Sequence, residues 1–291
     1  MMKLAKVMVA LGALALGAPA CEKKPDEAEI HRDAGREHLD KQEWAQAAAE
    51  YDLSLKADPN QEKVWEQKAY VHMQAGEKDK AAAAFAKTAD FKKEPAKKAE
   101  VYRNLAGMFM QGEGELDKAE NYFNEAIKID PKDDASYAWL GELYSRRGGA
   151  RANDAKAEPP HLEKAMQYYD KASAANPSNP NHYLNKRIVL AKLTQYEQNQ
   201  KDLADGEART SAKDPAKVAE AKAKAEQHTA RADEYRKQME ETTKKFVEAQ
   251  KGGPAPAASK LDQKETAAEA KRVRPFCSTV RWRNSGLTGA E

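Results

Sequence analysis

Three stretches of this 291-residue chain repeat one another, and that repetition limits the possible folds more than any other feature. WAQAAAEYDLSLKADPN, LDKAENYFNEAIKIDPKD and LEKAMQYYDKASAANPSN share an alanine, an aromatic four residues on, a small residue three further and a proline five after that. The positions are Ala47, Tyr51, Ser54, Pro59; Ala119, Phe123, Ala126, Pro131; and Ala165, Tyr169, Ala172, Pro177. Steps of four and three place the first three residues on one helix face. The proline ends that helix, because the residue before it resists αR geometry. Upstream of each copy, and of a fourth around Ala81 and Phe85, a first helix is expected with a small residue at its middle: Gly35, Ala69, Gly107 and Gly141. A small side chain there lets two helices approach closely, where a bulkier one would clash.

Helix pairs recurring at this period resemble the tetratricopeptide repeat, a helix-turn-helix unit of about 34 residues. In that register the repeats run 28–61, 62–95, 100–133 and 134–179 within a 28–180 solenoid, with a further first helix from 180. The second copy lacks the terminal proline, and the fourth carries extra residues from Gly148 to Pro160. Sparse Val, Ile, Thr and aromatic residues leave little material for strands. The expected fold class is all-α: a helix-turn-helix solenoid followed by a long helical hairpin or coiled-coil-like segment.

Residues 181–250 read as long charged helices, broken near Asp205-Gly206 and at Asp214-Pro215, where Asp214 can cap a helix that starts on Pro215. Val218, Ala225, Ala232, Met239 and Phe246 recur every seven residues, with Ala221, His228, Tyr235 and Thr242 between them. This thin heptad seam suits either a hairpin packed on the preceding helix or a coiled-coil arm for a second copy or a partner. His228 has no second ligand at i+4, so it reads as a packing residue. Residues 251–291 form a Gly/Pro/Ala-rich linker and a basic tail, in which Lys271, Arg272, Arg274, Arg281 and Arg283 surround Phe276, Cys277 and Trp282. Such a tail could engage an anionic surface.

The N-terminus, MMKLAKVMVALGALALGAPAC, has two lysines, ten apolar residues and then small ones, the layout of a signal peptide over 1–20. Two alternatives give the same cut. The segment resembles a bacterial lipoprotein signal, which implies lipidation of Cys21, a tether over 21–27 and membrane attachment. Ala18-x-Ala20 also satisfies an ordinary signal-peptidase site, which would leave Cys21 unmodified. By the same resemblance, Glu22 after the cysteine favours the outer membrane, facing the periplasm.

The formal charge of +2 comes from Lys3 and Lys6; residues 21–291 hold 47 basic and 47 acidic groups. A balanced chain lacks the concentrated basic patch that nucleic acid requires. No GxSxG, GxxxxGK[ST] or HExxH motif occurs, and the two cysteines and six histidines lack metal-site spacing. Neither an enzyme, a cofactor nor a metal is expected. The repeat resemblance implies instead a concave groove lined by the first helices, which places Arg32, Arg36, Glu66, Tyr70, Met73, Asn104, Met108 and Glu142 as partner-groove residues. A chaperone-tail clamp of Lys and Asn is replaced by Arg32, Arg36, Gln67, Val101 and Leu105, so that partner is not expected. The implied function is a membrane-tethered adaptor that binds a segment of a protein partner. Similar lipoproteins act as pilotins for secretins or in envelope assembly. The alternative is a structural or oligomeric scaffold acting through the C-terminal helix.

Overall fold

The computed structural model describes residues 26–110, 113–149 and 157–252, and among these the regular structure is entirely helical. The signal segment, Cys21, the inserted residues 150–156 and the tail with Cys277 lie outside the described residues. The chain divides into two compact units between Glu77 and Lys78. The boundary falls inside the second repeat, so its two helices belong to different units.

The first unit holds α1 (Glu27–Asp40), α2 (Trp44–Ala57) and α3 (Glu62–Gln74). The expected small-to-aromatic contact is its pivot. Tyr51 is fully buried on Gly35, where an added Cβ would lie 2.6 Å from the tyrosine ring. Burial pushes the Tyr51 phenol up to about 12. Ala47, Leu55, Val64 and Val71 complete this small core, and Ser54 Oγ donates to the Ala28 carbonyl at 2.7 Å, tying α2 to the start of α1. At the end of α2, Asp58 is extended (φ −139°), as a residue before proline should be. Its carboxylate accepts the Asn60 amide at 2.8 Å, closing an Asx turn.

The second unit begins with α4 (Lys78–Ala86), which passes into a 3₁₀ turn at Lys87–Phe91. This is the copy without a terminal proline, and its second helix is the shortest of the set. α5 (Pro95–Phe109) pairs with α6 (Leu116–Ile129), and α7 (Asp134–Arg147) pairs with α8 (Pro159–Ala175). Each pair packs on the next through α6 with α7 and α8 with α9 (Pro180–Thr210). Leu105, Phe109, Phe123, Leu140, Leu143, Leu162, Tyr169 and Leu193 form one continuous core. Tyr169 repeats the Tyr51 arrangement, with an added Cβ at Gly141 lying 2.8 Å from its ring. Asp130 and Asn176, the residues before Pro131 and Pro177, end their helices as Asp58 does (φ −129° and −141°).

The third repeat departs from the register expected. Gly107 is exposed and an added Cβ there would meet nothing within 4 Å, whereas Ala106 is fully buried. The close-approach position is therefore Ala106. The span from the small residue to the alanine of the second helix is one residue longer than in the first repeat: Ala106 and Ala119 are thirteen apart, while Gly35 and Ala47 are twelve apart. A fixed-spacing pattern passes over such an insertion, and every first-helix position in this repeat moves back by one.

α9 runs unbroken through Asp205-Gly206, contrary to the break expected there. A single interior glycine costs roughly 1 kcal/mol against alanine, and Lys201 pairs with Asp205 across that turn at 2.6 Å. The chain reverses at 211–214 into α10 (Pro215–Gly252), whose first amides at Ala216 and Lys217 donate to the Asp214 carboxylate at 3.2 and 3.3 Å. The heptad seam lies within the chain. Ala221, Ala225, Ala232 and Thr242 are buried, and α10 packs along α9 more extensively than any other pair of helices pack. His228 is a packing residue whose Nδ1 lies 2.6 Å from Glu197 of α9, a carboxylate with only 1% of its residue surface exposed. The hairpin is thus the observed alternative, and the seam is occupied. No described helix is long and apolar enough to cross a membrane.

Candidate partner groove

The groove residues expected from sequence fall in two separate units. In the first, Arg32 reaches Glu29 at 2.9 Å and Asp33 at 3.3 Å, and Arg36 reaches Asp33 at 3.4 Å. These are exposed pairs on one helix, worth about 0.3–0.5 kcal/mol each, so a partner carboxylate can replace them at little cost. Tyr70 is half-buried and stands edge-on to Trp44, ring centres 6.5 Å apart. Met73 is 42% exposed, and Glu66 is partly buried.

In the second unit, Asn104 is exposed and Glu142 partly buried, but Met108 is only 8% exposed and belongs to the core. Its assignment to the groove is corrected: with Ala106 at the contact with α6, Met108 turns inward. The residues of α5 on the first-helix face are Glu100, Arg103 and Gly107. Arg103 Nη1 lies 2.6 Å from Asp133, whose other oxygen accepts from Ser136 Oγ at 2.5 Å. Glu100 pairs with Lys97 at 3.2 Å.

Along α7 this face carries Ala135, Ala138, Trp139, Glu142 and Arg146. Arg146 donates to the Met110 carbonyl at 2.7 Å, and Glu142 accepts from Tyr169 at 3.5 Å. Trp139 is 48% exposed, with its ring stacked over Phe123 at 6.3 Å.

α9 extends the same face, which the sequence reading did not include. Two contacts fix its level against α7. At one end, Asp134 accepts from His182 at 2.7 Å, from Asn176 at 3.1 Å and from Asn179 at 3.4 Å. Burial acts to raise the Asp134 carboxyl, but these hydrogen bonds prevail and hold it below the usual aspartate value. At the other end, the Lys192 ammonium donates to Ser145 Oγ at 3.0 Å and to the Gly149 carbonyl at 2.9 Å. Desolvation pulls Lys192 below the ordinary lysine value, with Glu142 partly offsetting it. The two helices therefore run side by side in one direction, with Ile188 about level with Gly141. Leu184 (38% exposed), Ile188 (50%) and Ala191 stand at i, i+4 and i+7 on the solvent side. Counting from the proline that ends the fourth repeat reaches these positions, so the signal was present in the sequence.

Glu100, Arg103, Glu142 and Arg146 each have a partner within the chain. The unsatisfied feature of the face is apolar: glycine and alanine along α5 and α7, with Trp139, Leu184 and Ile188 exposed to water. Among the described residues no group of three His, Cys, Asp or Glu side chains is placed to hold a metal ion.

The tetratricopeptide repeat model matches residues 32–95 and 67–134. Among solved structures the chain is similar to a TPR repeats protein from Bacteroides fragilis, with 16% identity and a TM-score of 0.48 over 78% of this chain and 99% of that one. It is also similar to the MamA protein (17%, 0.39, over 78% and 93%). A third is YrrB, described as a TPR protein with an unusual peptide-binding site (15%, 0.35, over 78% and 93%). No curated protein matches the sequence. Over residues 32–134, about a third of its length, the chain is thus similar to tetratricopeptide repeats.

Proposed function

We propose that the protein is a non-enzymatic adaptor that holds a segment of a protein partner against the first-helix face of α5, α7 and α9. The observation that carries this reading is the pairing on that face: its charged groups are engaged in-chain, while Trp139, Leu184 and Ile188 leave apolar surface to bury. Fully burying a leucine or isoleucine side chain contributes about 1.5–3 kcal/mol, so covering these half-exposed ones contributes roughly 1 kcal/mol each. The partner's recognition element is therefore an apolar-striped segment rather than a charged terminus.

The scaffold alternative loses its surface, because the seam of α10 is spent on α9. Cys21 attaches the adaptor to the periplasmic side of the outer membrane, where tethering raises its effective concentration near envelope assemblies. Pilotin-like help to such an assembly is the finer form of this reading. Its support is the signal-like segment and the lone cysteine at the cut.

Ile188→Asp tests the groove. In a pull-down from detergent-solubilised membranes, this variant should lose a partner that the wild-type chain retains, with an unchanged thermal melt. Retention of the partner by a folded Ile188→Asp protein refutes the groove. Mass spectrometry of the native mature protein should find a lipidated Cys21, and an unmodified amino-terminal cysteine refutes the tether.

A further inference from the structure

The exposed stripe Leu184, Ile188 and Ala191 lies at the end of the groove where the described chain stops. α10 returns along α9, so its last turns stand beside the first turns of α9. The Arg187 guanidinium is 5.8 Å from the centre of the Phe246 ring. Burial and then the Glu248 carboxylate raise the Tyr183 phenol. Gly252 is six residues past Phe246, about 9 Å along the helix. The tail thus departs close to the stripe.

That tail carries what the stripe lacks. Val273, Phe276, Val280 and Trp282 are large apolar groups, set between Arg272, Arg274, Arg281 and Arg283. Residues 260–291 hold seven basic and four acidic groups, a net +3, which leaves −3 on residues 21–259. Twenty-four residues separate Gly252 from Phe276, enough to span at most roughly 80 Å, far more than the stripe requires. A segment tethered this close is present at an effective concentration of about millimolar, where even weak apolar contacts are populated.

We propose that residues 272–283 dock on the Leu184, Ile188 and Ala191 stripe of the same molecule and cover the apolar end of the groove until a partner displaces them. The docking stands on the stripe, the exit point and the tail's own residues. Only the displacement rests on the adaptor reading above.

The native Cys277 provides the probe. In the full chain with Cys21→Ser, Ile188→Cys is paired with Cys277 and mild oxidation is followed by peptide mass spectrometry. Lys245→Cys serves as control: it is exposed and, seven residues before Gly252, lies close to the exit but on α10, off the stripe. The 188–277 disulfide should form within one molecule at least tenfold faster than 245–277, and Phe276→Asp should abolish that preference. Equal rates, or a 188–277 product found only between molecules, overturn the proposal in favour of an unattached tail or a second copy. Binding of the tail to phosphatidylglycerol vesicles with no 188–277 preference assigns it to an anionic surface and equally overturns the proposal.

The adaptor reading is read separately. Ending the chain at residue 259 should increase partner capture several-fold if the tail covers the groove, and unchanged capture refutes displacement. If no partner is captured by either form while the 188–277 disulfide still forms, the adaptor reading fails and the docking stands.

Discussion

At the scale of the residue, the packing of two tyrosines on two glycines sets the distance between paired helices. Tyr51 on Gly35 and Tyr169 on Gly141 leave no room for a methyl group, whereas Gly107 faces open space. Gly35→Ala and Gly141→Ala should each destabilise the protein by about 1–3 kcal/mol through overpacking. Gly107→Ala should be neutral or stabilise it by up to about 1 kcal/mol, since alanine replaces a mid-helix glycine. Urea unfolding of the three variants measures both signs, and equal losses at all three would refute the corrected register. In sequence the three glycines look alike. Their difference comes from one additional residue between the small position of α5 and Ala119, which alters no local propensity and shows only in which of Ala106 and Gly107 is buried.

At the scale of the element, one end of the junction of α7 with α9 depends on one carboxylate. Asp134 gathers His182, Asn176 and Asn179, and its carboxyl lies below the usual 3.8. A carboxylate with a depressed native pKa contributes stability above its unfolded value, and that contribution disappears as the pH falls through the native value. The stability difference between wild type and Asp134→Asn should therefore be present at pH 7, shrink as the pH falls below about 3.8 and vanish at the acid end. A difference independent of pH would show that Asp134 acts by shape alone. In the hairpin beyond this junction the fully buried seam positions of α10 are small, Ala221, Ala225, Ala232 and Thr242. The buried Glu197 meets His228 there at 2.6 Å, a polar pair that is satisfied only when those two positions face each other.

At the scale of the whole molecule, the division at Glu77 separates two bodies of unequal substance. Residues 78–252 own a continuous core from Leu105 to Leu193, while the first unit has three helices and a core of a few side chains. Expressed alone, 78–252 should be helical and melt cooperatively by circular dichroism. The 26–77 fragment should be marginal, because a chain of that length buries too small a fraction of its surface. Failure of the larger fragment to fold would refute the division. Retained partner capture by that fragment would place the binding face on α5, α7 and α9 without help from Arg32, Arg36 or Tyr70.

The sequence by itself determined the helices and most of their ends, the break expected at Asp205-Gly206 excepted. Spacings of three and four, a proline after an extended Asp or Asn, and a small residue opposite an aromatic are local rules, obeyed within a few residues of where they are written. Only the tertiary structure decided the register of the third repeat, the burial of Met108, the exposure of Leu184 and Ile188 on the face that α9 continues, and the choice of α9 as partner for the α10 seam. Each of these depends on residues far apart in sequence meeting in space. A thin heptad seam or a stripe of leucine and isoleucine reads the same whether its partner is its own chain, a second copy or another protein.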